Sequence, residues 1–189
     1  MFNRAVVVCP SCLQHFNESA DLCERCGFDA YRVIQQFPYT APVLERIMDN
    51  TGVVDDRLRA DLNSAVDKLL RRFPQIGFYF CFVEMDDPVS MAEFGFWMMN
   101  ACRLQEGQVE NDRAWSLLLL IDTQRGLVSL TPGYAIEAFV EDSGWEQALR
   151  QISEDLAAGN YRQALLEYMS SAEALLRQSA SDVSKKVNQ

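Results

Sequence analysis

Four cysteines near the start of the chain, Cys9, Cys12, Cys23 and Cys26, stand in the spacing C-x2-C-x10-C-x2-C. Two residues between thiolates let one tight turn present both sulfurs to a single ion, and two such turns complete the tetrahedral shell that Zn²⁺ accepts. Pro10 fixes φ on entry to the first turn, and Gly27 tolerates φ > 0 on exit from the second. Four thiolate ligands leave no coordination position for water, so the expected zinc is structural rather than catalytic. The alternatives are a pair of disulfides, which a reducing compartment opposes, and a redox C-x-x-C, which comes singly beside a strand and helix. His15, the one histidine in the chain, is an alternative ligand, but beside four cysteines it reads as a solvated loop residue.

The cysteine pattern resembles a zinc ribbon, and it is expected to occupy residues 1–32. A unit this short buries too little apolar surface to fold alone, and structural zinc supplies about 10–16 kcal/mol of folding free energy in comparable peptides. Two other cysteines, Cys81 and Cys102, fall among aromatic and apolar residues, where a free thiol serves as a small hydrophobe. Without a second histidine or paired base, neither reads as a nucleophile. Trp97, Met98 and Met99 could form a binding face, but at helical spacing they read as core, with Met99 the one turned off that face.

The whole-chain balance narrows the function classes. The 189 residues carry a net charge of −10, and the ribbon itself balances Arg4, Arg25 and Arg32 against Glu18, Asp21, Glu24 and Asp29, or −1. Nucleic-acid binding requires clustered Lys and Arg, so no nucleic acid is expected as a partner. Apolar residues at 49% and charged residues at 23% match globular usage. The start, MFNRAVVVCP, lacks the apolar core of a signal peptide, and no run approaches the ~18 apolar residues of a membrane span. The expectation is a cytoplasmic protein without an integral membrane segment.

The elements that must position these residues follow from periodicity. Pro38 and Pro42 mark residues 33–48 as an extended linker rather than a helix across the prolines. Leu58, Leu62, Ala65, Val66, Leu69, Leu70 and Phe73 recur at helical steps after an N-cap at Asp55 or Asp56, and Pro74 ends that helix. IGFYFCFVEM, from Ile76, suits a buried strand. Ser90 and Glu93 form a capping box for a helix through Phe94, Trp97, Met98, Ala101 and Leu104. WSLLLLID, from Trp115, reads as a central strand, paired through the DTQRG turn with GLVSLTPGY. Ser143 and Glu146 form a second capping box, Gly159 stops the helix that follows, and Asn160 caps the last. Residues 179–189 read as a polar tail. Helices flanking buried strands predict an α/β domain of three layers, α/β/α, with a central sheet of about four strands.

In this order the segments resemble the TPM domain family over residues 49–178. MDNTGVVDD, with Asp49, Gly52, Val53, Val54 and Asp55, is similar to the family's opening block. TPGYAIEAFVED, with Gly133, Tyr134, Glu137 and Asp142, is similar to its Gly-Tyr-Gly-Leu-Glu-Gly-x-x-x-Asp segment. LAAGNYRQALLEYMSSAEALL resembles its closing helix. The resemblance implies a central sheet with helices on both faces, and in some members acid phosphatase activity or a divalent cation held near acidic loops. Carried onto this chain, the cation ligands for Ca²⁺ or Mg²⁺ are Asp112, Asp122, Glu137 and Asp142, with Arg113 or Arg125 on the phosphate. Each has a structural alternative: Asp122 in a hairpin turn, Glu137 on a solvated face and Asp142 at the approach to a helix. Where the family carries Asp-Asn-Gly before the apolar strand this chain has Ala114, Trp115 and Ser116, and Ala135 and Ala138 replace two glycines. The expectation is therefore a non-catalytic accessory factor with a protein partner, and the alternative is a metal-dependent acid phosphatase.

Overall fold

The computed structural model of the protein describes residues 6–12, 14–17, 20, 22–37, 40–85, 89–104 and 111–187. Strands β1 (Val6–Val8) and β2 (His15–Asn17) pair antiparallel, Val8 opposite His15, and lead through the second cysteine turn to helix α1 (Ala30–Gln36). Asp29 caps α1 by accepting from the Tyr31 N–H at 2.9 Å. The helix ends before Pro38, in the stretch the sequence assigned to a linker. That stretch also holds two short strands, β3 (Val43–Leu44) and β4 (Ile47–Asp49).

Helix α2 (Asp56–Leu70) follows, capped by Asp55, whose carboxylate accepts from the Leu58 N–H at 2.7 Å. Strand β5 (Gly77–Val83) leads to helix α3 (Met91–Ala101), capped by Ser90. Then come β6 (Arg103–Leu104), which pairs parallel with β3, the single turn α4 (Asn111–Ala114), and the hairpin of β7 (Ser116–Asp122) and β8 (Leu127–Pro132). One turn of helix, α5 (Tyr134–Glu137), precedes α6 (Asp142–Ala157) and α7 (Tyr161–Val187).

The main sheet has the order β4-β5-β7-β8, parallel across the first three strands and antiparallel at the last. The two-residue period of the strands then divides the core. Phe78, Phe80 and Phe82 of β5 and Leu117, Leu119 and Ile121 of β7 point to one face and meet Leu62, Val66, Ile152, Leu165 and Tyr168 of α2, α6 and α7. Tyr79, Cys81 and Val83, with Leu118 and Leu120, point to the other and meet Trp97 and Met98 of α3. Both faces are covered, so β5 and β7 read as unbroken apolar runs. The result is the expected three-layer α/β/α arrangement.

The cysteine segment does not stand apart from these layers. Cys9, Cys23, Phe28, Val33 and Phe37 belong to the same buried cluster as Trp97, Tyr79 and Leu118. Phe28 packs edge-on against Phe96 at 5.5 Å between ring centroids, and Phe37 against Phe94 at 5.4 Å.

Two helix boundaries and the burial of one side chain differ from expectation. Helix α6 starts at Asp142, with Glu141 at the cap position and no side-chain capping bond, so Ser143 lies inside the first turn instead of capping it. Burial decides the start: Trp145, Ala148, Ile152 and Leu156 all reach the core from this phase. Helix α7 continues to Val187, through the segment read as a tail. That segment contains neither Gly nor Pro, Ser184 bonds back to the Ala180 carbonyl, and Lys185 pairs with Asp182 at 3.3 Å. Met99, expected off the core face, is 5% exposed because the cysteine segment and α4 close over the outer side of α3.

Candidate metal centre and adjoining cleft

The two C-x2-C turns bring the four thiol sulfurs within 4.8 Å of one another. Each turn is tied by its own backbone: the Cys9 N–H donates to Gln14 O at 2.9 Å, and the Cys23 N–H donates to Phe28 O at 3.0 Å. Gly27, at φ +72°, takes the left-handed conformation that lets its N–H reach Cys23 O. Cys9 Sγ lies 3.6 Å from Cys26 Sγ, and Cys12 Sγ lies 3.7 Å from Cys23 Sγ. A tetrahedral ion with metal–sulfur bonds of about 2.3 Å has ligand–ligand edges of about 3.8 Å, so the donor set and its spacing fit one Zn²⁺. Burial holds the Cys9 thiol up at about 12, whereas the Cys26 N–H and then the Arg25 N–H, working against burial, draw Cys23 down to about 7. Cys23 is thus readier than Cys9 to be a thiolate, the form a metal binds.

His15 is not aimed at this centre. Its Nε2 lies 3.3 Å from Asp142 Oδ2, bridging β2 to the first residue of α6.

Of the three acidic candidates whose side chains are described, Glu137 and Asp142 come together and Asp122 does not join them. Asp122 ends β7, fully buried, where its Oδ1 accepts from the Gln124 and Arg125 N–H groups at 3.1 Å each and its Oδ2 accepts from Arg125 Nε at 2.5 Å. It pins the hairpin turn, the structural alternative for that residue. Glu137 and Asp142 sit at the opposite end of the strand. The Gly133 N–H bonds Ser116 O at the start of β7, and six residues of strand set Asp122 about 20 Å away. Asp112 lies in α4, also near the start of β7, but its side chain is outside the described residues.

Gly133 is the hinge of the Glu137 end. A Cβ there would fall 2.1 Å from Arg113 O and 2.7 Å from Ala114 O, so only glycine lets α4 and α5 meet. This close approach places Glu137 and Asp142 in one recess. Burial first, and the Asp142 carboxylate second, push Glu137 up to about 7. Its Oε2 is buried without a hydrogen-bond partner, and the expected solvated face is instead half-buried. Arg113 is directed elsewhere: its guanidinium donates to the carbonyls of Met99 and Cys102, satisfying the C-terminal end of α3. Arg125 is engaged by Asp122.

Arg113, Gly133, Glu137 and Asp142 border a cleft of about 490 Å³ between the cysteine segment and the α/β layers. Phe28, Phe96, Met99, Leu130, Trp145 and Leu149 contribute to its walls. The sequence did not announce it, since its walls come from residues separated by most of the chain; Phe28, directly after the last cysteine turn, was the available signal. Cys81 and Cys102 are buried thiols, pushed up to about 12 and about 11 by burial and unsuited to nucleophilic attack at neutral pH. At the other end of the sheet the Asp49 carboxylate accepts from the N–H groups of Thr51, Gly52 and Val54 at 2.9 Å each, and despite its burial these donors hold it below the usual carboxylate range. It organises the turn into α2.

Among the described residues, the four cysteines form the cluster of three or more side chains able to hold a metal ion. No described helix is long and apolar enough to cross a membrane.

Comparison with known proteins agrees with this architecture. No curated protein matches the chain. The N-terminal domain of cg2496 protein from Corynebacterium glutamicum, solved by NMR, superposes with a TM-score of 0.53 at 14% identity, over 69% of this chain and 78% of that one. The N-terminal domain of a protein from P. gingivalis gives a TM-score of 0.54 at 16% identity, over 72% of this chain and 84% of that one. At such identity these two likenesses show the fold alone. The TPM domain family model matches residues 47–175, which runs from β4 into α7 and takes in the whole central sheet. The chain belongs to the TPM domain family.

Proposed function

We propose that this chain is a non-catalytic TPM-domain factor in which Cys9, Cys12, Cys23 and Cys26 hold a structural Zn²⁺, and that it acts in the cytoplasm through contacts with a protein partner. The observation that carries this reading is the engagement of both arginines available to a phosphate. Arg113 closes the end of α3 and Arg125 is bound to a buried Asp122. Phosphoryl transfer needs positive groups or metal facing the transferring oxygens, together with a positioned nucleophile or water. Here the acidic side chains are divided between two ends of β7, so no cation held by Glu137 or Asp142 meets Asp122. The charge of −10 and the all-thiolate shell fit a module that binds protein rather than nucleic acid.

The second reading, a metal-dependent acid phosphatase using Ca²⁺ or Mg²⁺, is favoured by one feature: Glu137 and Asp142 share a recess in the walls of a cleft. The two readings separate in a hydrolysis assay with p-nitrophenyl phosphate and added Ca²⁺, Mg²⁺ or Mn²⁺, run at several pH values on the wild type and Asp142→Ala. The expected result is equal, background-level turnover in both proteins. Metal-dependent hydrolysis that is lost in Asp142→Ala while the fold is retained overturns the non-catalytic reading.

A further inference from the structure

The cleft at the seam between the cysteine segment and the sheet has a strand for its floor: consecutive residues of β8, from Val128 to Pro132, line it. β8 ends the order β4-β5-β7-β8, so among the described residues it has a strand partner on one side only. Helices cover both of its faces. A Cβ on Gly95 of α3 would fall 2.3 Å from Thr131 Oγ1, while Val128 and Leu130 pack on the opposite cluster with Trp145 of α6. Every residue of β8 nevertheless keeps some exposure, whereas every residue of β7 is buried. With both faces covered, that exposure lies along the free edge.

Register fixes which groups the edge presents. Antiparallel partners alternate between pairs that exchange N–H···O bonds and pairs that do not. The Gly133 N–H donates to Ser116 O at 2.7 Å, so Thr131, Ser129 and Leu127 turn their backbone groups toward β7, and Val128, Leu130 and Pro132 turn theirs outward. Proline suits an outward position, because no ladder N–H is lost there. The edge therefore offers the N–H and C=O of Val128 and Leu130 and the C=O of Pro132, the complement of an extended main chain. Phe96 and Met99 of α3 stand on one side of this floor and Trp145 and Leu149 of α6 on the other, in a cleft of about 490 Å³. That space admits a single strand and not a second sheet with its own covering helices. Charge gives the strand a direction. Gly126, just before β8, meets Ala157 at the far end of α6, so the start of α6 lies at the Pro132 end. There Glu137, Asp142 and Glu146 line the cleft, and the basic lining residue, Arg113, is committed to the carbonyls of Met99 and Cys102.

We propose that the β8 edge docks an extended peptide segment of a protein partner, added antiparallel as one further strand. Its apolar side chains alternate between α3 and α6, and a Lys or Arg at its N-terminal end lies beside the acids at the Pro132 end. This names the contact for the protein-partner reading above and rests on that reading.

The test uses the full 189-residue chain, loaded with Zn²⁺, and the probe acetyl-Lys-Val-Ile-Thr-Val-amide. In the free protein the Val128 and Leu130 amides should exchange with solvent about a hundredfold faster than those of Ser129 and Thr131, which bond to β7. The probe should bind saturably at 1:1 and slow exchange at Val128 and Leu130 by about tenfold or more. A probe N-methylated at Ile and at the last Val, which fall opposite Leu130 and Val128, should bind about tenfold more weakly, because its side chains are kept and its edge donors are lost. Leu130→Pro removes an outward N–H and no β7 bond; with folding checked from its amide spectrum, it should weaken the probe similarly. Glu in place of the probe's Lys should weaken binding about fivefold. Val128 and Leu130 amides as protected as their neighbours in the free chain, no saturable binding, or equal binding of the N-methylated probe overturns the proposal. So does a dimer in sedimentation whose dissociation exposes those two amides, which assigns the edge to a second copy. The non-catalytic reading fails separately, by metal-dependent hydrolysis lost in Asp142→Ala, and background hydrolysis with an inert β8 edge leaves that reading standing on another surface.

Discussion

Phe78, Phe80 and Phe82 lie beneath α2, α6 and α7, whereas Tyr79, Cys81 and Val83, their neighbours in the same strand, lie beneath α3, α1 and the cysteine segment. The two covers are built by different means. The first consists of helices of 15, 16 and 27 residues that pack on one another and are tied by Arg162–Asp61 at 2.6 Å and Arg72–Glu173 at 2.9 Å. The second has an 11-residue α3, overlaid by a 7-residue α1 and a hairpin of two three-residue strands that cannot persist on propensity alone. What the second cover lacks in length, a metal cross-link between two turns can supply. The comparison teaches that burying the same strand on two sides does not make the sides equally autonomous: one is held by long helices packed on one another, whereas the other brings four thiols together where a metal ion would complete the hold.

Removing the ion is the most severe way to break that comparison, and it carries the largest expected effect. A thiol-competing chelator withdraws binding energy of about 10 kcal/mol or more from the cysteine segment. In native-state hydrogen exchange, β1, β2 and α1 should lose most of their protection, by about a thousandfold, and the outer side of α3 should loosen with them. Protection in α2, α6 and α7 should change by less than about tenfold. Loss of protection throughout the chain in one step would mean that the second cover is essential to the sheet, and the division between faces would fail.

Paired truncations sharpen the same contrast at smaller amplitude. Phe80→Ala empties a fully buried site under α2 and α7 and should cost about 3–5 kcal/mol in urea unfolding, with or without the chelator. Trp97→Ala should cost a similar amount in the metal-loaded protein, because Trp97 stacks on Phe94 at 5.5 Å and meets Phe37 of the second cover at 5.7 Å. After chelation at least half of that cost should disappear, since the Phe37 side of its packing is already lost. An unchanged Trp97→Ala penalty would show that α3 keeps its environment without the ion.

The self-contained face was the more legible of the two in the sequence. The Leu58, Leu62, Val66, Leu69 period, the apolar runs of β5 and β7 and the caps at Asp55 and Ser90 are local signals, and each names an element by itself. The cysteine quartet was equally plain, because ligand spacing is a local property. Helix α1 was missed: seven residues between two prolines and a metal turn carry little periodicity, and tertiary contact with Phe94 and Trp97 supplies the missing order. Strands β3 and β4, with two and three residues, are too short to leave a pattern. The recess of Glu137, Asp142 and His15 was illegible for a different reason. Its members come from α5, α6 and β2, so only the docking of the cysteine segment on the α/β layers brings them together. Asp122 shows the converse: a candidate acid whose hydrogen bonds within its own turn account for its burial.

Glu137 sits where the two covers meet, and its titration gives the smallest and most discriminating test. Its carboxyl is raised from 4.5 to about 7, by burial and then by Asp142, while Asp142, Glu141 and His15 of the same recess, Glu146 of α6 and Arg113 of α4 make up its charged surroundings. A carboxylic acid with a raised folded-state pKa binds its proton more tightly in the native state than in the unfolded chain. Its contribution is therefore level below about 4.5, becomes unfavourable as pH rises toward about 7, and is level again above. The shift corresponds to at most about 3 kcal/mol, and solvent screening of a half-buried side chain reduces this to roughly 1–2 kcal/mol. Urea midpoints of the wild type should fall relative to those of Glu137→Gln across that window, because glutamine has no proton to lose. Asp142→Asn should flatten the fall in part by removing the second cause. Chelation should flatten it too: once the cysteine segment lifts away, Glu137 regains water and its pKa drops toward the ordinary value. Parallel midpoint curves for the wild type and Glu137→Gln in the metal-loaded protein would mean that the seam does not desolvate Glu137, and a slope untouched by chelation would assign its burial to the self-contained face alone.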